Sequence, residues 1–84
     1  MNISTQYYKE IPLRQIKRSD YHVMNARRFT LNGTNQNVWI PNRYLHEDGT
    51  LKANINIDFV FRGSQRKFYL AGISHLYAPY KLSN

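Results

Sequence analysis

Cysteine is missing from this chain of 84 residues. Disulfides, thiolate zinc sites and cysteine nucleophiles are therefore excluded. Acidic residues are scarce, with 5 Asp and Glu against 12 Lys and Arg, for a net charge of +7 at pH 7. No window approaches the roughly 18 apolar residues that a membrane-spanning helix needs. Met1 to Glu10 have no apolar run behind a basic start and do not read as a signal peptide. The 4 glycines are scattered, so no Gly-rich phosphate loop forms. There is no Gly-x-Ser-x-Gly elbow, internal repeat, Gly/Ser linker or long amphipathic helix.

What is present is a hydrophobic fraction of 42% and an aromatic fraction of 14%, which argue against disorder despite the charge. The expectation is one small basic domain over 1–84, cytoplasmic, with ends fraying near 1–5 and 79–84. Turn signals recur at Pro12, Asn32-Gly33, Pro41, Asp48-Gly49, Gly63-Ser64, Gly72 and Pro79. The stretches between them favour antiparallel strands over long helices.

Asn54 to Phe61 alternates, with Ile55, Ile57, Phe59 and Phe61 on one side, and reads as a half-buried strand. Arg62 to Gln65 offer a hairpin loop. Arg66 to Ile73 read as the returning strand, with Phe68 and Leu70 on one face. Tyr21 to Leu31 reads as a longer strand flawed by a β-bulge at Asn25 to Arg28, which aims one arginine to each side. Asn32-Gly33 is a strong turn signal, and Asn37 to Ile40 form the partner strand. Pro41 to Leu45 suit a helical turn, and Pro12 either opens a short helix with Leu13 and Ile16 or lies near a strand through Ile11 and Leu13.

The fold class expected is strand-dominated α+β. A small antiparallel sheet of four or five strands, as a curled sheet or partly open barrel, would carry one or two short helical turns; a sheet covered by a helix near Pro12 is the alternative. The core would draw on Ile55, Ile57, Phe59, Phe61, Phe68, Leu70, Val23, Phe29, Leu31 and either Val38 with Ile40 or Trp39.

Charge falls in two zones. Arg14, Lys17, Arg18, Asp20, Arg27 and Arg28 make one; Arg62, Arg66, Lys67 and Lys81, with Asp58, make the other. Arg43 to Lys52 is neutral. Aromatics interleave both basic zones, a composition that suits phosphate contacts and base stacking. The phosphate-binding candidates are Arg27, Arg28, Arg62, Arg66 and Lys67. Trp39, Tyr44 and Tyr69 are candidates for stacking or for anchoring a partner. Each has a plain counterpart, a solvated charge or a core aromatic, and Trp39 in particular would be expected to plug the core.

Catalysis has thinner support. His22, His46 and His75 show no metal-ligand spacing, and His46-Glu47-Asp48 reads as a solvated turn, so no metal and no cofactor is expected. Arg66, Lys67, Tyr69, His75 and Tyr77 would be the set for a small ribonuclease, with His or Tyr moving the 2′-hydroxyl proton. Ile73-Ser74-His75-Leu76-Tyr77 resembles the C-terminal strand of RelE-type ribonuclease toxins over those residues alone. The long N-terminal helical hairpin of that family has no counterpart. Glu10 to Ile16, with Asp20-Tyr21 and Asn25-Ala26-Arg27, is similar to the opening strand and turn of ParB-like domains. The Gly-Glu-Arg-Arg phosphate segment of those domains is missing, so their chemistry does not carry over.

The expected function is thus a non-enzymatic accessory protein that binds DNA or RNA. The competing expectation is a small protein-binding or inhibitory module, of the kind found among mobile-element accessory proteins, that docks on an acidic protein or a nucleoprotein complex. A free strand edge would also allow a homodimer.

Overall fold

The computed structural model describes residues 5–17 and 24–77. They form a strand-dominated α+β fold around one four-stranded antiparallel sheet. Strands β1 (Gln6–Tyr8), β2 (Ile11–Gln15), β3 (Ala26–Leu31) and β4 (Asn37–Pro41) lie side by side in chain order. A 3-10 turn (Asn42–Tyr44), helix α1 (Asp58–Phe61), helix α2 (Gln65–Leu70) and a second 3-10 turn (Ser74–Leu76) follow. The sheet is open, with β1 and β4 as its edges, so it does not close into a barrel.

The segment at Pro12 is a strand, not a helix. Tyr8 pairs with Ile11, leaving Lys9 and Glu10 as a two-residue turn with φ of 48° and 74°. Two positive φ values in succession give a type I′ turn, whose twist matches the flanking strands. Asn-Gly is the usual signal for that turn and is absent here, which hid the hairpin. Pro12 also limits β3. Asn32 donates its N–H to the Pro12 carbonyl at 3.0 Å, but proline has no N–H to return.

The expected strand from Tyr21 shortens to Ala26–Leu31; Tyr21 and Val23 lie outside the described residues, and so do the ends expected to fray near 1–5 and 79–84, apart from Thr5. No bulge is needed, because Arg27 faces Ile40 and Arg28 faces Trp39 in unbroken register. Strand alternation alone sends the two arginines to opposite faces. Asn32-Gly33 makes the expected turn, closed by Thr34 N–H to the Leu31 carbonyl at 3.0 Å.

The segments expected as strands at Asn54–Phe61 and Arg66–Ile73 are instead helical over much of their length. Asn54 sits at φ 59°, outside the extended region a strand requires. Ile57 and Phe61, four apart, share a helical face as readily as a strand face. Packing decides between them: both are fully buried, while Phe59 between them is 41% exposed. Leu70, also expected inside, is 47% exposed. Gly72, at φ 77°, ends α2. Ile73 N–H reaches the Phe68 carbonyl at 2.9 Å and Gly72 N–H the Tyr69 carbonyl at 3.0 Å. That is a Schellman motif, with buried Ile73 against buried Phe68 as its apolar contact.

One face of the sheet supplies Ile11, Leu13, Phe29, Leu31, Val38 and Ile40 to the core, and the C-terminal half supplies Leu45, Ile57, Phe61, Phe68 and Ile73. Aromatic rings form a column through it. Tyr8 stacks on Phe61 at 5.7 Å, Phe61 meets Phe68 edge-on at 5.9 Å, and Phe68 meets Tyr77 at 5.4 Å. Asp58 is buried among these groups. It accepts from the Tyr8 hydroxyl at 2.6 Å and from Lys9 Nζ at 2.9 Å, while the Tyr8 oxygen accepts the Ile57 N–H at 3.0 Å. Burial, then the bond to Asp58, pushes the Tyr8 pKa above its ordinary 10.0. The same carboxylate, by hydrogen bonding, pushes Lys9 above 10.5.

Candidate nucleic-acid interface

The sheet has a second face. Pairing relates its residues in steps. Tyr7 pairs with Pro12, and Arg14, two residues along, pairs with Thr30. Arg28, two residues from Thr30, pairs with Trp39. Residues two apart on a strand and residues paired across strands share a face. Tyr7, Pro12, Arg14, Thr30, Arg28 and Trp39 therefore stand together, opposite the core. No described carboxylate joins them. Glu10 is in the first hairpin turn, Glu47 and Asp48 are in the loop after Leu45, and Asp58 is buried in α1.

Arg28 and Trp39 are the best-defined part of this face. Leu31 N–H donates to the Gln36 carbonyl at 2.7 Å and Asn42 N–H to the Asn25 carbonyl at 2.8 Å. Hydrogen-bonded pairs alternate along the ladder, so Arg28–Trp39 is a non-hydrogen-bonded pair, the kind whose side chains lie closest. The guanidinium sits 5.5 Å from the indole centroid, within cation–π range. Trp39 is 41% exposed, correcting the expectation that it fills the core; Val38 and Ile40 take the buried places beside it. Tyr7, at the far corner, is 66% exposed.

Arg14 and Tyr7 were not among the candidates from sequence. Alternation through Ile11-Pro12-Leu13-Arg14 would have found Arg14 had the strand been chosen over the helix. Arg14 donates to Thr5 Oγ1 at 3.2 Å. Beside it is a recess of about 180 Å³, bordered by Thr5, Tyr7, Pro12, Arg14, Asn32 and Gly33.

Arg27 is engaged within the fold. It points to the other side of β3 and donates to Gln15 Oε1 at 3.0 Å and to the Glu47 carbonyl at 2.6 Å. Gln6 and Gln15 hold the same loop through the carbonyls of Gly49 and Asp48. Gly49 is at φ 91°, in the left-handed region that favours glycine, and the Gln15 amide lies 2.5 Å from where a Cβ would stand. In His46-Glu47-Asp48, Asp48 accepts from the Thr50 hydroxyl and N–H, which hold its carboxyl below the usual range. Among the described residues no three His, Asp or Glu side chains converge as metal ligands do.

The remaining candidates are dispersed. Lys67 donates to the Asn37 carbonyl at 2.9 Å, at the start of edge strand β4. Asn37 pairs with Thr30 in the non-hydrogen-bonded phase, so that carbonyl points off the sheet edge. Arg66 and Tyr69, 70% exposed, are on α2, and Arg62 is in the turn before it. Tyr44 is half-buried, with its ring 5.8 Å from Phe59 and the Arg43 guanidinium over it at 4.7 Å. The ribonuclease set is likewise split. His75 is exposed on a 3-10 turn rather than a strand, and Tyr77 is buried, its oxygen accepting the Gly63 N–H at 3.2 Å.

No helix among the described residues is long and apolar enough to cross a membrane. No protein-family model, no curated protein and no solved structure matches the chain.

Proposed function

We propose that the protein binds single-stranded nucleic acid on the open face of its sheet. The observation that carries this reading is the exposed Trp39 ring with the Arg28 guanidinium 5.5 Å away, on a face that also bears Arg14 and Tyr7 and no described carboxylate. A flat sheet with exposed aromatic rings is suited to stacking unpaired bases, and four-stranded sheets use such rings to hold two or three of them. Guanidinium groups beside the rings take the phosphates, and the net +7 charge draws the strand in. The role needs no catalytic group.

The test is a titration of short single-stranded and duplex DNA and RNA at several salt concentrations, followed by Trp39 fluorescence. Single strands should bind, quench the indole and weaken log-linearly with salt. Arg28→Ala should reduce the slope by about one and leave folding unchanged. Trp39→Ala should weaken binding about tenfold, within the range of one stacked base. No binding at low salt would overturn the reading.

A second reading has its own observation. Tyr69 and Leu70 are neighbouring exposed apolar residues on α2, close to Arg66. Such a patch suits an acidic protein partner with an apolar anchor site. Tyr69→Ala with Leu70→Ala should leave nucleic-acid binding unchanged and abolish binding to that partner.

A further inference from the structure

Among the described residues, the two aromatic side chains of the open face, Tyr7 and Trp39, are at opposite corners, and the recess is at one of them. Tyr7 is on β1 and Trp39 on β4, three strand spacings apart at about 4.8 Å each. They also differ by two side-chain rows, since Tyr7 shares a row with Pro12 and Trp39 one with Arg28. At about 3.4 Å per residue the rows are about 7 Å apart, which makes the diagonal about 20 Å. Arg14 and Thr30, paired with each other, occupy the row between.

We infer that a single strand crosses this face diagonally, one end stacked on Trp39 and the other end seated with one base in the recess beside Tyr7. This rests on the nucleic-acid reading and adds its path and length. The recess, about 180 Å³, is smaller than the pockets that hold drug-sized ligands, and it suits one ring system at most. Its walls supply what a base and its phosphate need: the exposed Tyr7 ring for stacking and the Arg14 guanidinium, steadied by Thr5, for charge. Gly33 leaves its side of the recess open, with no atom within 4 Å of where a Cβ would stand. The stretch between the corners holds Thr30 and Arg14, a hydroxyl and a cation suited to the sugar–phosphate backbone. Stacked nucleotides rise about 3.4 Å each, and splayed ones take more, so spanning about 20 Å needs about four to six nucleotides. A dinucleotide reaches only one corner.

The experiment is a length series of oligothymidylates and oligouridylates from two to eight nucleotides, read by Trp39 quenching and by anisotropy at one salt concentration. For the unmodified protein, affinity should climb steeply between two and about five nucleotides and then level. Tyr7→Ala and Arg14→Ala should each remove most of that climb, about tenfold for a hexanucleotide, yet leave the extent of Trp39 quenching at saturation unchanged. Circular dichroism checks that each variant folds. Variants that keep the full length dependence, or a dinucleotide that binds as tightly as a hexanucleotide, would overturn the path while Trp39 quenching still upheld the interface. An absence of quenching at every length would overturn the interface and the path with it.

Discussion

The two faces of this sheet are built from alternate residues of the same strands, yet they are chemically unlike. Along β4, Val38 and Ile40 are buried, while Trp39 between them is exposed beside a guanidinium. Along β3, Phe29 and Leu31 go inward and Arg28 and Thr30 outward. Alternation by itself says only that the two sets differ in direction. Which set is buried is decided by where the C-terminal helices pack. A one-residue shift in register would expose Phe29 and bury Arg28, so the apolar set dictates pairing and leaves the other face available for binding.

The largest contrast should appear between residues that the linear pattern treats as equivalents. Phe61→Ala, at a fully buried ring between Tyr8 and Phe68, should cost about 3–5 kcal/mol in chemical denaturation. Phe59→Ala should cost about 1 kcal/mol, since that ring is 41% exposed and meets Tyr44. Equal losses would erase the distinction between the buried and exposed sets.

Next comes the buried carboxylate. Asp58→Ala leaves the Tyr8 hydroxyl without its acceptor and should cost about 2 kcal/mol. Tyr8 and Lys9 both have folded-state pKa values raised above 10.0 and 10.5. Their contribution is therefore complete below about pH 10 and is lost as pH rises through the raised values. Stability measured from pH 8 to 11 should fall at the alkaline end in the unmodified protein and fall less in Asp58→Ala. Matching curves would show that the carboxylate is not what raises them.

The smallest effect is a gain. Glu10→Gly relieves a non-glycine residue at φ 74° in the first hairpin turn and should stabilise by about 0.5 kcal/mol. Glycine tolerates positive φ without the Cβ clash that Glu10 incurs. A loss instead would mean that the Glu10 side chain contributes more than its backbone geometry costs.

The sequence by itself determined the fold class, the Asn32-Gly33 turn, the β3–β4 hairpin and the opposite directions of Arg27 and Arg28. These follow from near-neighbour rules: turn chemistry and a period of two. It could not tell strand from helix at Asn54–Phe61, because Ile57 and Phe61 satisfy both periods. Only tertiary packing resolved that, by giving Phe61 a place between Tyr8 and Phe68. The hairpin at Lys9-Glu10 was hidden for the opposite reason, since its turn carries residues that ordinarily avoid positive φ. Likewise, neighbours in sequence did not reveal that Arg27 holds a loop while Arg28 faces the open side next to Trp39. A basic residue has the same charge in either position, and only the elements packed on one face of the sheet decide which arginine ties down the loop at Glu47 and which lies beside Trp39 on the opposite face.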